Sequence, residues 1–281
     1  MKTLNEYCNF LLKAPNLEDK LLPPPGDLID EVSSFSLPDF PGRSEKIQFS
    51  DKKSKIPRLE HMNLDSNRGL ALHHFANHEL MAIELFAWAI LKFQEISPKS
   101  RQILLKTLEE EQIHFRLYLE RMREFGIDFG DRPLNSIFWK FRPLMSSFEK
   151  FTSIVSLSLE GANLDFAIVY RNTFSHQGDE KTASIMDRIY RDECKHVRRG
   201  IRILKNRPDP ALSEWEYYLS LLEHPFTPRR AKGYFFLPFT RKKVGFSEEF
   251  IQKLGEYRDE FSNRKKEVIP EDLKSWGIYS G

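Results

Sequence analysis

A carboxylate, two spacers and an imidazole occur twice in this 281-residue chain, as Glu111 to His114 in "EEEQIHF" and as Glu193 to His196 in "RDECKHV". Residues three apart on an α-helix differ by about 60° around the axis, so each pair projects from one face and can grip a single cation. The neighbours on those faces are apolar. Leu104, Leu108, Phe115, Tyr118 and Met122 share the stripe of Glu111, while Met186, Ile189, Val197 and Leu204 flank Glu193. Both carboxylates are therefore expected in the core, where an acid has to be neutralised, hydrogen-bonded or bound to a metal.

Two more acids share that predicament. Glu79 lies in line with Leu72, Phe75, Ala76, Ile83 and Phe86, and Glu160 with Leu157, Leu164 and Ala167. The chain order is then Glu, Glu-x-x-His, Glu, Glu-x-x-His, with 32 residues from Glu79 to Glu111 and 33 from Glu160 to Glu193. Antiparallel helix pairs so spaced bring their acids to similar heights. Such a set holds two metal ions in the di-iron and di-manganese carboxylate bundles. Carboxylate oxygens with imidazole suit two iron ions, a manganese pair or a mixed iron/manganese pair, and zinc also accepts the mixture. Asp192 and Glu110, each preceding a ligand glutamate, are candidates to accept the free N–H of a ligand histidine and fix its tautomer. The run "EEE" that contains Glu110 reads equally well as a solvated face.

Rival readings attach to other residues. Glu84 also sits among Leu80, Ala87, Trp88 and Leu91, as an extra ligand or a member of a core ion pair; its distance of 27 to Glu111 breaks the match between the halves. His73, His74 and His78 neighbour Glu79 and fit packing or supporting roles better than ligation. Tyr118, Tyr190 and Trp88 could carry oxidising equivalents or simply fill the core. Cys194 reads as an inert buried thiol. Arg229, Arg230, Lys232, Arg241, Lys242 and Lys243, interleaved with Tyr234, Phe235, Phe236 and Phe239, suit a phosphate-bearing ligand or RNA, or a solvated edge over an aromatic mini-core.

The elements that must position these residues are all helical. Residues 1–13 predict a short amphipathic helix, and the prolines of "PPPGD" and "LPDFPGR" predict an extended arm after it. Helix A begins at Arg68 and is apolar on nearly every face. Helix B runs over about 98–125, where Gly126 is placed to cap it, helix C over 147–175 and helix D over 179–206. Beyond them the pattern predicts a helix at 211–223, an irregular stretch over residues 224–246 and a last helix near 247–265. The division expected is an arm over 1–67, a four-helix bundle over 68–206 and an extension over 207–281.

Lys+Arg 43 against Asp+Glu 41 gives a net charge of +2, so no overall field draws nucleic acid or membrane and such a partner would need a local patch. Cys8 and Cys194 form no metal-type or redox-type pair. No stretch approaches about 18 consecutive apolar residues, and the N-terminus lacks a signal-peptide pattern, which leaves the cytoplasm as the expected compartment and no membrane as partner.

The blocks "HHFANHELMAIEL", "EEEQIHFRLYLERMREFGIDFGDRP", "LEGANLD", "RDECKHV" and "PFTRKKVGF" together resemble the ferritin-like family catalogued as domain of unknown function 455, over about residues 60–250. The resemblance implies a ferritin-like four-helix fold with a dinuclear metal site at Glu79, Glu111, His114, Glu160, Glu193 and His196. It also implies kinship with the non-haem di-iron hydroxylase that modifies an isopentenyl-adenosine in transfer RNA. The function expected is an O2- or peroxide-activating oxidase or hydroxylase of a small-molecule or RNA-borne substrate, working as a monomer or dimer with an electron donor that the sequence does not name. Iron or manganese handling of the ferroxidase type and a metal-free helical scaffold are the alternatives.

Overall fold

The computed structural model describes residues 1–33, 35–52 and 55–260. Among these there is no β-strand, only isolated bridges between Thr3 and Ile29 and between Phe49 and Leu134. No helix among them is long and apolar enough to cross a membrane. The chain divides into two compact units. Among the described residues, the first falls within 1–57 and 63–142 and the second within 58–62 and 143–260.

In the first unit, α1 (Leu4–Lys13) starts at a capping box in which Thr3 Oγ1 accepts from the Glu6 amide while the Glu6 carboxylate accepts from the Thr3 amide. It buries Leu4, Tyr7, Cys8, Leu11 and Leu12. A single turn, α2 (Leu17–Lys20), follows. The long helix α3 (Asp65–Lys92) buries residues on every face from Gly69 to Leu91, as its lack of a polar stripe predicts. Packed along it is α4 (Pro98–Glu124), started by Ser97 as N-cap with Pro98 in the first turn and ended at Gly126, whose φ of 73° is the left-handed conformation that favours glycine. The short α5 (Ile137–Lys140) brings in Trp139.

Polar contacts pin the arm to this helix pair. The fully buried Lys20 ammonium donates to Glu84 Oε1 at 3.0 Å and to Leu11 O at 3.1 Å, and Arg43 grips the same Glu84 carboxylate with Nε and Nη2 at 3.0 and 2.8 Å. Arg101, likewise buried, donates to Asp30, Asn5 and the carbonyl of Ile90. The arm is thus part of the core of its unit.

In the second unit, α6 (Phe148–Thr152) runs into a π-helical stretch, Ser153–Leu159, and then into α7 (Glu160–His176). The single helix predicted over 147–175 is continuous, but its middle is widened. Alongside lies α8 (Glu180–Lys205), capped by Asp179, which accepts from the Thr182 amide and hydroxyl at 3.0 and 2.7 Å. Gly200 lets α8 approach the widened stretch: a Cβ there would stand 2.8 Å from that of Ser156 and 3.1 Å from Leu157 Cδ2.

The predicted helix at 211–223 is shorter, α9 (Glu214–Ser220), and the region expected to be irregular contains α10 (Pro238–Val244). Pro238 fills the first turn of α10, where a missing N–H costs nothing, so the proline that suggests a break begins a helix instead. α11 (Glu248–Glu256) is shorter than the helix expected over 247–265: the backbone leaves the helix at Tyr257 (φ −56°, ψ 131°) and residues 257–260 are not helical, while the rest of that expectation and the extension to 281 lie outside the described residues. Trp215 and Tyr218 pack α9 against Phe250 of α11. Inside this unit Asp165, fully buried, accepts from the amides of Gly233 (2.9 Å) and Leu237 (3.0 Å) and from Arg241.

Candidate metal centre

Each unit gathers one glutamate and one Glu-x-x-His pair. In the first, Glu79 comes from α3 and Glu111 and His114 from α4; each offers one ligand atom, and those atoms lie within 4.8 Å of one another. All three are buried, His114 completely. His114 Nδ1 stands 3.1 Å from Glu111 Oε2, the within-helix contact that a three-residue spacing allows.

In the second unit Glu160, Glu193 and His196 meet the same condition, again within 4.8 Å and again buried. His196 Nδ1 lies 3.4 Å from Glu193 Oε2 and 3.8 Å from Glu160 Oε1. Glu160 occupies the first position of α7 after the π-helical stretch, a kind of widening often found at functional sites. The structure therefore brings each predicted glutamate to its predicted Glu-x-x-His partner.

One supporting residue escaped the sequence reading. Asn163 donates to Glu193 Oε1 at 2.8 Å. The signal was present: Asn163 stands three residues after Glu160, in the frame that holds a histidine in the other two pairs, but attention to acids and imidazoles alone passed over an amide. Asp192 is buried and pairs with Lys195 at 2.7 Å and Arg188 at 3.6 Å. Glu110 is half-buried.

The rival residues find other employment. Glu84 is a core ion-pair member, held by Lys20, Arg43 and the Trp139 indole N–H at 3.1 Å. Burial pushes its carboxyl up, but Arg43 and Lys20 outweigh that and hold it below its ordinary value. His73 accepts the Gly130 amide through Nε2 at 3.2 Å, and burial lowers its pKa to about 4. His74 and His78 meet edge to face with ring centroids 4.5 Å apart, and His78 packs on Phe138. Tyr118 packs on Phe75, and Lys243 lies over the ring of Tyr190. Cys194 is a buried free thiol whose pKa burial raises.

The basic segment 229–243 is divided: Arg229, Lys242 and Lys243 are exposed, whereas Arg241 and Lys232 are tied into the fold. Arg241 is 1% exposed, bound to Asp165 and to the carbonyls of Gly161 and Ala231, so it is no part of a surface patch. Lys232 donates to the carbonyls of Gly255 and Tyr257, and burial brings its pKa down to about 8.

Two carboxylates gathered around an imidazole in a dry interior place like charges together, and the arrangement suits a bound cation better than it suits the residues alone. The donor set, oxygen-rich with one nitrogen, fits iron or manganese.

An uncharacterised protein of Haemophilus influenzae is 26% identical to this chain over 215 residues, covering 70% of this chain and 71% of its own length. No solved structure matches the chain significantly. The model of the family described as "Protein of unknown function (DUF455)" matches residues 17–252, and with so much of the sequence inside that span, both triads included, the chain belongs to this family.

Proposed function

We propose that the protein is a ferritin-like dinuclear metal enzyme, an oxidase or hydroxylase that uses O2 or a peroxide. The observation that carries this reading is the repetition of one buried triad, Glu plus Glu-x-x-His, once in each unit. In this reading α3, α4, the α6–α7 helix and α8 are the four helices of a single bundle, and the matching spacings of 32 and 33 residues, one residue apart, support the pairing of the triads.

Glu79, Glu111 and His114 would hold one ion, and Glu160, Glu193 and His196 the other. Two iron ions fit best, with manganese or a mixed pair accepted by the same donors. Bound there, such ions supply the O2- or peroxide-activating redox chemistry that no side chain can perform. The chain supplies the rest. Burial of all six donors keeps water away, each within-helix pair fixes its own imidazole against its own carboxylate, and Asn163 keeps one Glu193 oxygen oriented. The substrate class proposed is a small molecule or an RNA-borne base.

Metal content tests this directly, in protein purified without chelators and reconstituted anaerobically with ferrous iron. About two ions per chain are expected, with loss of both in the Glu111→Ala/Glu193→Ala variant. Metal-free protein after reconstitution would end the proposal and leave a helical scaffold. Catalytic oxidation of ferrous iron by a large hollow oligomer, seen on size exclusion, would replace it with metal handling.

A further inference from the structure

The face of α8 opposite its ligands is a cationic stripe. Arg188, Arg191, Lys195, Arg198, Arg202 and Lys205 follow one another at alternating steps of three and four, and all six are exposed. Residues at that spacing stay on one side of a helix, and the stripe is about 26 Å long at 1.5 Å per residue. Glu193 and His196 lie on the reverse of the same helix, buried.

Ordinary causes do not account for the row. A helix dipole favours cations only in the last turn, whereas Arg188 and Arg191 lie mid-helix. Internal pairing accounts for part: Asp192 takes Lys195 and Arg188, and Asp187 takes Arg191 at 2.9 Å, although it is shared with Arg171 at 3.1 Å. Six cations against two acids, one buried and one half-buried, still concentrate more positive charge on one face than the +2 that the whole chain carries. Arg198 donates to the carbonyl of Lys243, which sets the charges of Lys242 and Lys243 beside the stripe.

We infer that this face is a docking surface for a small acidic protein, of the class of acidic electron carriers. The choice of a protein over nucleic acid rests on two observations. None of the exposed residues of α8 is aromatic, so bases have nothing to stack on. Asp187 is set within the row, half-buried, where it would face phosphates but can sit beside basic residues of a partner whose charges alternate. The carrier class follows from position, and in this respect the inference rests on the proposed metal centre: a helix is about 10–12 Å across, a distance that electrons cross and a substrate does not.

An acidic plant-type [2Fe–2S] ferredoxin in its oxidised form is the probe, titrated by calorimetry into wild type and into Arg191→Glu/Arg202→Glu, with Arg191→Lys/Arg202→Lys as a charge-preserving control and thermal melts to verify folding. Affinity is expected to fall about tenfold when salt rises from about 20 to 200 mM, and about tenfold or more in the charge-reversed variant, with the lysine variant near wild type. Equal affinity of wild type and the charge-reversed variant, or no binding by wild type, overturns the inference. A hairpin RNA that binds more tightly than ferredoxin and loses affinity in the same variant overturns it in favour of nucleic acid. Titrations run on both chelator-treated and iron-loaded protein, with metal content measured separately, so a failed metal centre shows as missing iron while docking is still read by heat.

Discussion

Asn163 donates its side-chain amide to Glu193 Oε1 at 2.8 Å, so a residue one turn beyond Glu160 holds the glutamate of the facing helix. The Asn163→Ala variant should keep its fold and bind the metal proposed for that triad about 10- to 100-fold more weakly, the usual effect of losing a residue that orients a ligand. Competition with a coloured chelator measures this. An unchanged affinity would mean that Glu193 is held by its backbone and His196 alone.

Gly200→Ala should destabilise, against the ordinary preference of a helix interior. Alanine normally improves a helix by about 1 kcal/mol over glycine. Here the added methyl would meet Ser156 Cβ at 2.8 Å, and forcing such a fit costs about 1–3 kcal/mol. A urea melt showing higher stability would contradict the packing of α8 against the π-helical stretch.

Glu84→Leu would strand two buried cations, Lys20 and Arg43, and leave the Trp139 indole without its acceptor. A loss of about 3–5 kcal/mol is expected. The pH dependence has a definite sign. Because Arg43 and Lys20 hold the Glu84 carboxyl below its ordinary 4.5 despite its burial, its contribution is complete above that pH and is lost as pH falls through the lower folded value. The stability gap between wild type and Glu84→Gln, followed by denaturant melts, should therefore be constant near neutrality and narrow only in acid.

His73 is buried and neutral, its pKa lowered from 6.5 to about 4 by burial. The unfolded chain binds a proton there between those two values and the folded chain does not, so stability rises with pH across that window, by roughly 3 kcal/mol from this residue. His73→Gln keeps an acceptor for the Gly130 amide and removes the titration; its pH–stability curve should be flatter between about pH 4 and 6.5 than that of wild type.

The clustering of the triads was legible because burial of an acid and helical spacing constrain the same residues. A buried Glu needs a partner and the three-residue step names it, so Glu111 with His114 and Glu193 with His196 could be read without any contact information. Glu84 shows the limit: its apolar neighbours marked it as buried, but Lys20 and Arg43 lie in an arm whose path over α3 no local pattern encodes. Arg241 was misplaced for the same reason, since its partner Asp165 is 76 residues distant and a buried arginine looks like a surface one until that partner is found. The π-helical stretch was invisible because Ser153–Leu159 has the composition of an ordinary buried helix.

That stretch makes the helix from Phe148 to His176 two helices in different phase. A π-turn carries one residue more than an α-turn, which offsets the faces before and after it by about 100°. Residues 148–152 can therefore be selected for their own neighbours independently of where Glu160 points. Deleting a single residue within 153–159 would let the widened turn close to α geometry with both flanks keeping their facing, whereas deleting one from an α-helical turn beside it, with the widening kept, would turn one half of the helix by about 100° relative to the other and take Glu160 away from Glu193 and His196 while leaving all three in the sequence.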